Sequence, residues 1–252
     1  MRVVLTRPRR EAGRWAQALA ARGHEVLLLP LIEIAPPPDA ASLRRAVAAL
    51  SGYRAAMFVS GSAVRGFFEE PVPWPATTRA WCTGPGTARA LQESRVPAAN
   101  IDVPDGDAAQ FESESLWPLV SDQVGAGTRV LLVRGAGADG RPSGRDWLAS
   151  RLQAAGAQVD VVASYTRQAP AWNEQERAAA FQAARDGSTW LLSSSEALAH
   201  LRALLPGVPL SQARAIATHE RIAQAAREAG FGVVCLSRPS EDAVTATLES
   251  IG

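Results

Sequence analysis

The chain has 252 residues, 47% of them hydrophobic and 20% charged, with a formal net charge of +1. That length fits two domains of ordinary size, and the near-zero charge offers no overall field for nucleic acid or a membrane surface. All 26 basic residues are Arg, which excludes Schiff-base chemistry on a lysine and a P-loop lysine, and leaves anions to guanidinium groups, hydroxyls and backbone N–H groups.

Apolar runs and helical periods alternate from end to end. "RVVLT" predicts a strand and "EAGRWAQALAARG" a helix that ends on Gly23, a residue suited to a C-cap. "EVLLLPLIEI" predicts one long strand and "AASLRRAVAALSGY" a helix. "AAMFVS", "RAWCTG" and "IDVP" predict strands, separated by helices over "SAVRGFFEE" and "GTARALQES" and followed by one over "FESESLWPLV". "RVLLVRG", "GRDWLASRLQAAG" and "AQVDVVASYTRQ" predict strand, helix and strand. "NEQERAAAFQAARDG", "TWLLSS", "EALAHLRALL", "RAIATH", "ERIAQAAREAG", "GVVCLS" and "EDAVTATLESI" continue the alternation to the end. Strands alternating with helices imply α/β architecture, with parallel sheets covered on both faces.

About ten strands are too many for one comfortable sheet, and an internal repeat divides them. "RVVLTRP…GRWAQALAARGHEVLLLPLIEIAP" matches "RVLLVRG…GRDWLASRLQAAGAQVDVVASYTRQAP", with Arg2 against Arg129. "FVSGSAVRGFF" matches "LSSSEALAHL", with Ala63 against Ala197, and "RAWCTGPGTARAL" matches "RAIATHERIAQAA", with Arg79 against Arg214. The expectation is a duplicated unit: two similar five-stranded α/β domains. "LPLIEIAPPP" and "ASYTRQAP" are longer than one sheet needs and end in prolines. Side by side they would form a two-stranded connector. The first domain would then comprise 1–35 and 168–252, with the second, 36–167, inserted. Ligands of open α/β sheets bind beyond the carboxyl ends of the strands, so a cleft between the domains is the expected site.

The candidate chemistry follows from that placement. Cys82 and Cys235 lie far apart, and His24, His200 and His219 form no pair at ligand spacing, so neither a disulfide framework nor a metal site is expected. His219 ends a strand and opens a helix, which places it at the cleft. "VSGSAV", with Ser60 and Ser62, and "LSSSEAL", with Ser194, are strand–Ser–helix turns without the glycines of a nucleophile elbow. They read as helix caps whose hydroxyls and N–H groups face the cleft. In "CTGPGTARAL", Thr87 is the expected cap. Arg7 after "VVLT" and Arg134 after "VLLV" occupy nearly equivalent positions; each can hold an anion bidentately or sit in an intrachain ion pair. Tyr165 lies in "VVASYTR" at a strand end, where its hydroxyl can bind ligand or transfer a proton.

These same stretches resemble uroporphyrinogen-III synthase over nearly the whole chain: "VVLTRP" with "GHEVLLLPLIEI", "FVSGSAVRGFF", "CTGPGTARAL", "LLVRG…GRDWLASRLQAAGAQVDVVASYTR", "SSSEALAHL" and "IATHERIAQAAREAGF". The resemblance implies two flavodoxin-like domains joined by a two-stranded ladder. It also implies conversion of linear hydroxymethylbilane to cyclic uroporphyrinogen III, with loss of water and inversion of the last pyrrole ring, a step of haem and other tetrapyrrole biosynthesis. No cofactor or metal is implied. The tyrosine matching Tyr165 is the implied assistant of hydroxyl departure, and Ser60, Thr87 and Ser194 match polar cleft positions. The loop "GAGADGRPSG" after Arg134 is longer than the resemblance leads one to expect and reads as a flexible insertion.

Two other readings compete. Gly135-x-Gly137-x-x-Gly140 after a strand, with Asp160 downstream, has the lettering of a dinucleotide loop, yet Pro142 and Gly144 delay the helix and Asp160 starts its strand rather than ending it. A two-domain anion-binding module without catalysis would share the fold and the arginines. The apolar run in "MRVVLTRPRR" is too short for a signal peptide, and no stretch approaches the ~20 apolar residues of a membrane span. The expectation is a cytoplasmic monomer acting on a small molecule, without nucleic acid or membrane.

Overall fold

A computed structural model of the protein describes residues 1–104 and 113–251. The chain divides into two compact units, Met1–Glu33 with Gln168–Gly252, and Ile34–Arg167. The first five elements are β1 (Arg2–Leu5), α1 (Arg9–Ala21), β2 (Glu25–Leu28), β3 (Glu33–Ala35) and α2 (Ala40–Ala48). Next come β4 (Ala55–Phe58), α3 (Gly61–Phe67), β5 (Arg79–Cys82), α4 (Pro85–Glu93), β6 (Ile101–Asp102) and α5 (Ser113–Val120). They are followed by β7 (Arg129–Ala136), α6 (Trp147–Ala154), β8 (Gln158–Gln168), α7 (Glu174–Ala183) and β9 (Thr189–Leu192). The chain closes with α8 (Ser195–Leu204), β10 (Arg214–Ala217), α9 (Glu220–Glu228), β11 (Val233–Leu236) and α10 (Glu241–Ile251). Residues 111 and 112, which open the helix expected over "FESESLWPLV", lie outside the described residues.

The first unit holds the sheet β11-β10-β9-β1-β2, and its four strand pairs are all parallel. The second holds β3-β8-β7-β4-β5-β6, parallel from β8 to β6. Parallel strands covered on both faces need apolar residues throughout rather than alternation. "AAMF" in β4 and "TWLL" in β9 meet that need and are buried at every position. Within β4 the pleat still sorts them: Ala56 and Phe58 pack with α2, α3 and α4, whereas Ala55 and Met57 pack with α5 and α6.

The structure corrects three expectations. "EVLLLPLIEI" is not one strand: it breaks after Leu28, and its two ends enter different sheets as β2 and β3. Among the described residues the break gives eleven strands, in sheets of five and six rather than five and five. The helix expected over "GRDWLASRLQAAG" starts only at Trp147, because the preceding residues fold back along β7. Local signals hold elsewhere. Gly23 and its repeat partner Gly156 follow α1 and α6 at φ 80° and 87°, the left-handed geometry of a glycine stop. An Asn173–Glu176 capping box opens α7: Asn173 Oδ1 accepts from Glu176 N at 2.8 Å and Glu176 Oε2 accepts from Asn173 N at 2.9 Å. No helix among the described residues is long and apolar enough to cross a membrane.

Candidate active site

In the second unit the carboxyl ends of β4 and β8 bring two of the predicted residues together. Ser60 follows β4 in an extended conformation and caps α3, its Oγ accepting from Ala63 N at 3.1 Å. Tyr165, only 5% exposed, lies in β8 with its hydroxyl 3.2 Å from that same Oγ. These partners are far apart in sequence, and they meet across the one strand, β7, that separates β8 from β4 in the sheet. Ser62 is buried in the first turn of α3, where its Oγ accepts from Arg65 Nη2 at 3.3 Å.

Thr87 is not a cap. Gly84 holds the extended N-cap position at φ −150° and ψ 159°, Pro85 takes the first helical position, and Thr87 N donates to Gly84 O at 3.1 Å. Proline's fixed φ suits the first helical position, so the helix begins before the threonine. Thr87 sits buried inside the first turn.

Arg134 differs from its expected place as well. It lies within β7 rather than beyond it, because the strand runs on to Ala136. Its buried guanidinium donates from Nη1 to Asp146 Oδ1 at 2.9 Å, while its Nε has no hydrogen-bond partner. Thus Arg134 forms the intrachain ion pair that was one of its two readings. The glycine-rich run beyond it is a hairpin, not a loose insertion and not a phosphate cradle. Gly137 N donates to Arg141 O at 3.1 Å, Gly140 N to Gly137 O at 3.0 Å and Ser143 N to Gly135 O at 2.9 Å. Those N–H groups are used inside the hairpin, and α6 starts well past the last glycine, so no helix terminus meets them. Asp160, the residue a ribose would need, binds Arg129 Nη2 at 2.7 Å and the Tyr53 hydroxyl at 2.9 Å. Burial works to raise its pKa, but these hydrogen bonds outweigh it and hold the carboxyl below its ordinary value.

In the first unit Arg7 stands two residues beyond β1, half-buried, with its guanidinium carbon 4.6 Å from the centre of the Trp15 ring. Its Nε is buried without a hydrogen-bond partner, and among the described residues it makes no ion pair. Burial pushes its pKa below the ordinary arginine value, against the nearby charges of Glu11 and Glu241. Ser194 caps α8, accepting from Glu196 N at 3.2 Å, as its repeat partner Ser60 caps α3. His219 caps α9 with Nδ1 accepting from Arg221 N at 3.1 Å, which leaves Nε2 to carry the ring proton. His200 is turned to a different task, its Nδ1 donating to Leu31 O at 2.7 Å.

Sequence reasoning missed what seats Tyr165. Arg134 pairs with Ala163, but Gly135 pairs with Tyr165, so β8 slips by one residue and Ser164 is the extra one. Val162 and Tyr165 consequently face the same core, which strict alternation forbids for residues at odd spacing. That broken alternation in "VVASY" is the readable signal.

Comparisons with known proteins bear on the family and the fold. The family described as Uroporphyrinogen-III synthase HemD matches residues 13–246. The uroporphyrinogen-III synthases of Escherichia coli and Salmonella typhimurium are 29% and 30% identical to the chain, each alignment covering 92% of both proteins. In fold the chain resembles the enzyme structure from Helicobacter pylori, with a TM-score of 0.60 at 17% identity, over 100% of both chains. A mutant enzyme from Thermus thermophilus gives 0.58 at 19%, over 100% of this chain and 98% of that one. The family match over most of its length, on two parallel α/β sheets, places this chain in the uroporphyrinogen-III synthase family.

Proposed function

We infer that the protein is a lyase that closes hydroxymethylbilane to uroporphyrinogen III, in tetrapyrrole biosynthesis. Within this family setting, the observation that carries the site is the nearly buried Tyr165 hydroxyl held against Ser60 at the strand ends. The hydroxyl of the hydroxymethyl group on the first ring leaves as water once a proton reaches it, and the methylene stays on the ring as an azafulvene cation. The last ring attacks that cation through its substituted carbon. The resulting spiro intermediate opens and recloses with the ring inverted, and loss of a proton restores the pyrrole. Tyr165 is the group we assign to the departing hydroxyl, with Ser60 orienting the phenol. An electron-rich pyrrole expels hydroxide readily, and unassisted closure gives the isomer without inversion. Control of chain folding therefore contributes more than acid strength.

The substrate's carboxylates call for fixed donors. Arg7 suits that role because its Nε has no hydrogen-bond partner and its guanidinium rests on the Trp15 ring, with Glu11 and Glu241 near it but not ion-paired to it. Ser62, Thr87, Ser194 and His219 are further substrate-binding candidates. Arg134 is assigned to Asp146 and the hairpin instead. We take the protein to work as a cytoplasmic monomer, without cofactor or metal. The test is the isomer ratio released from hydroxymethylbilane by the purified protein. Predominant isomer III is expected; the unchanged spontaneous mixture would refute the activity.

A further inference from the structure

The first glycine of Gly135-x-Gly137-x-x-Gly140 has a use that its lettering hides. Gly135 lies on the face of β7 that also carries Leu131 and Val133, directly opposite Tyr165 in the strand pair. A Cβ built there would stand 2.5 Å from Tyr165 Cζ and 2.8 Å from both Cε2 and Arg167 Nη1; the arginine contact is the far end of a long side chain and can give way, whereas the ring cannot. Real Cβ atoms do not approach ring carbons so closely, and this ring is packed in the core rather than free to swing. The backbone at Gly135 needs no left-handed φ, so what the position demands is the missing side chain.

Two further features lock the ring from the other side. The one-residue slip leaves Ser164 over, and its Oγ donates to Ala63 O at 2.9 Å, fixing β8 against α3. The same helix offers Ser60 at its cap as the partner of the phenol. Slips of this kind re-aim a side chain.

We propose that Gly135 is a positioning residue: by lacking a side chain beside the slip at Ser164, it lets the Tyr165 ring cross β7 and rest its hydroxyl on Ser60. The glycine serves a phenol, not a phosphate. The proposal rests on Tyr165 acting at the substrate only for its catalytic consequence; the seating itself is geometric.

Two tyrosines, Tyr53 and Tyr165, make the seating directly observable. Protein carrying 13Cζ-tyrosine should give two ring signals, assigned with Tyr53→Phe. Gly135→Ala is expected to move the Tyr165 signal, leave that of Tyr53 in place and lower kcat at least tenfold with a smaller change in KM. Gly137→Ala, whose new Cβ would meet only Asp139 Oδ1 at 3.1 Å and no part of Tyr165, should leave both signals and the rate unchanged. An unmoved Tyr165 signal in Gly135→Ala, with wild-type rate, overturns the proposal. Should Gly135→Ala fold poorly, the Tyr165→Ala background decides. There the substitution should cost little in Tm, because the ring is gone; an undiminished cost overturns the proposal. If Tyr165→Phe keeps the full rate and isomer ratio, the chemical role of Tyr165 falls, while the signal shift and the Tm comparison still judge Gly135.

Discussion

The two sheets have the same spatial order. Strands β11-β10-β9-β1-β2 of the first unit correspond one by one to β6-β5-β4-β7-β8 of the second. Against that common frame, one contact is made in two ways. In the second unit α3 presses Gly66 onto the carbonyl of Ser164, so closely that a Cβ would stand only 2.9 Å from the carbonyl carbon. In the first unit the repeat partner of Gly66 is His200, and there the side chain reaches across to donate to the carbonyl of Leu31. A glycine brings the helix down to the strand, whereas a histidine bridges the distance. Where the second unit carries Tyr165, the first carries the buried, chemically inert Ile32. The charged residue is traded in the opposite sense: Arg134 meets a carboxylate and Arg7 meets an indole. The two units share the strand order and differ in the side chains placed at its carboxyl ends.

The largest expected effect tests the helix contact. Gly66→Ala should destabilise the protein by about 3 kcal/mol, as overpacking against backbone does. His200→Ala should cost only about 1 kcal/mol, the usual net value of one hydrogen bond. Urea unfolding of both variants measures the contrast, and equal losses would mean that the two contacts are not built differently. Next comes the arginine pair. Arg7→Gln is expected to raise KM for hydroxymethylbilane roughly tenfold with little change in Tm, since it removes a charge-assisted donor that no carboxylate of the described chain uses. Arg134→Gln should instead lower Tm and spare KM, because its guanidinium is buried against Asp146. Steady-state kinetics with thermal melts on the same samples would show whether the two roles are exchanged.

The smallest effect concerns the thiols. Cys82 lies in the inner strand β5, and burial pushes its pKa up to about 12; Cys235 is partly exposed on the edge strand β11. Iodoacetamide at neutral pH should modify one thiol of the folded protein, at Cys235, and both after unfolding. Modification of Cys82 in the folded state would contradict its burial.

The repeat and the alternation of strands and helices were legible because each rests on local periodicity. Ser60 and Ser194 were legible as caps for the same reason. The break between Leu28 and Glu33 was not, since one apolar run reads alike whether it feeds one sheet or two. Thr87 was misplaced because both it and Gly84 can open a helix, and Pro85 decided between them. The hairpin after Arg134 and the meeting of Ser60 with Tyr165 depend on strand pairing between distant segments, which no local pattern records.

The shared strand order has a consequence for how the chain folds. The second unit, Ile34–Arg167, is continuous and can close as soon as β8 has left the ribosome. Strand β1 must wait for β9, its partner on one side, which is made near the end of synthesis. Meanwhile β4, whose place in the second sheet matches that of β9 in the first, is already present. The growing chain therefore carries a native-like but wrong neighbour for its first strand, a swap within one molecule. Early docking of β7 beside β4 removes that neighbour, so prompt closure of the inserted unit protects the unit that surrounds it in sequence.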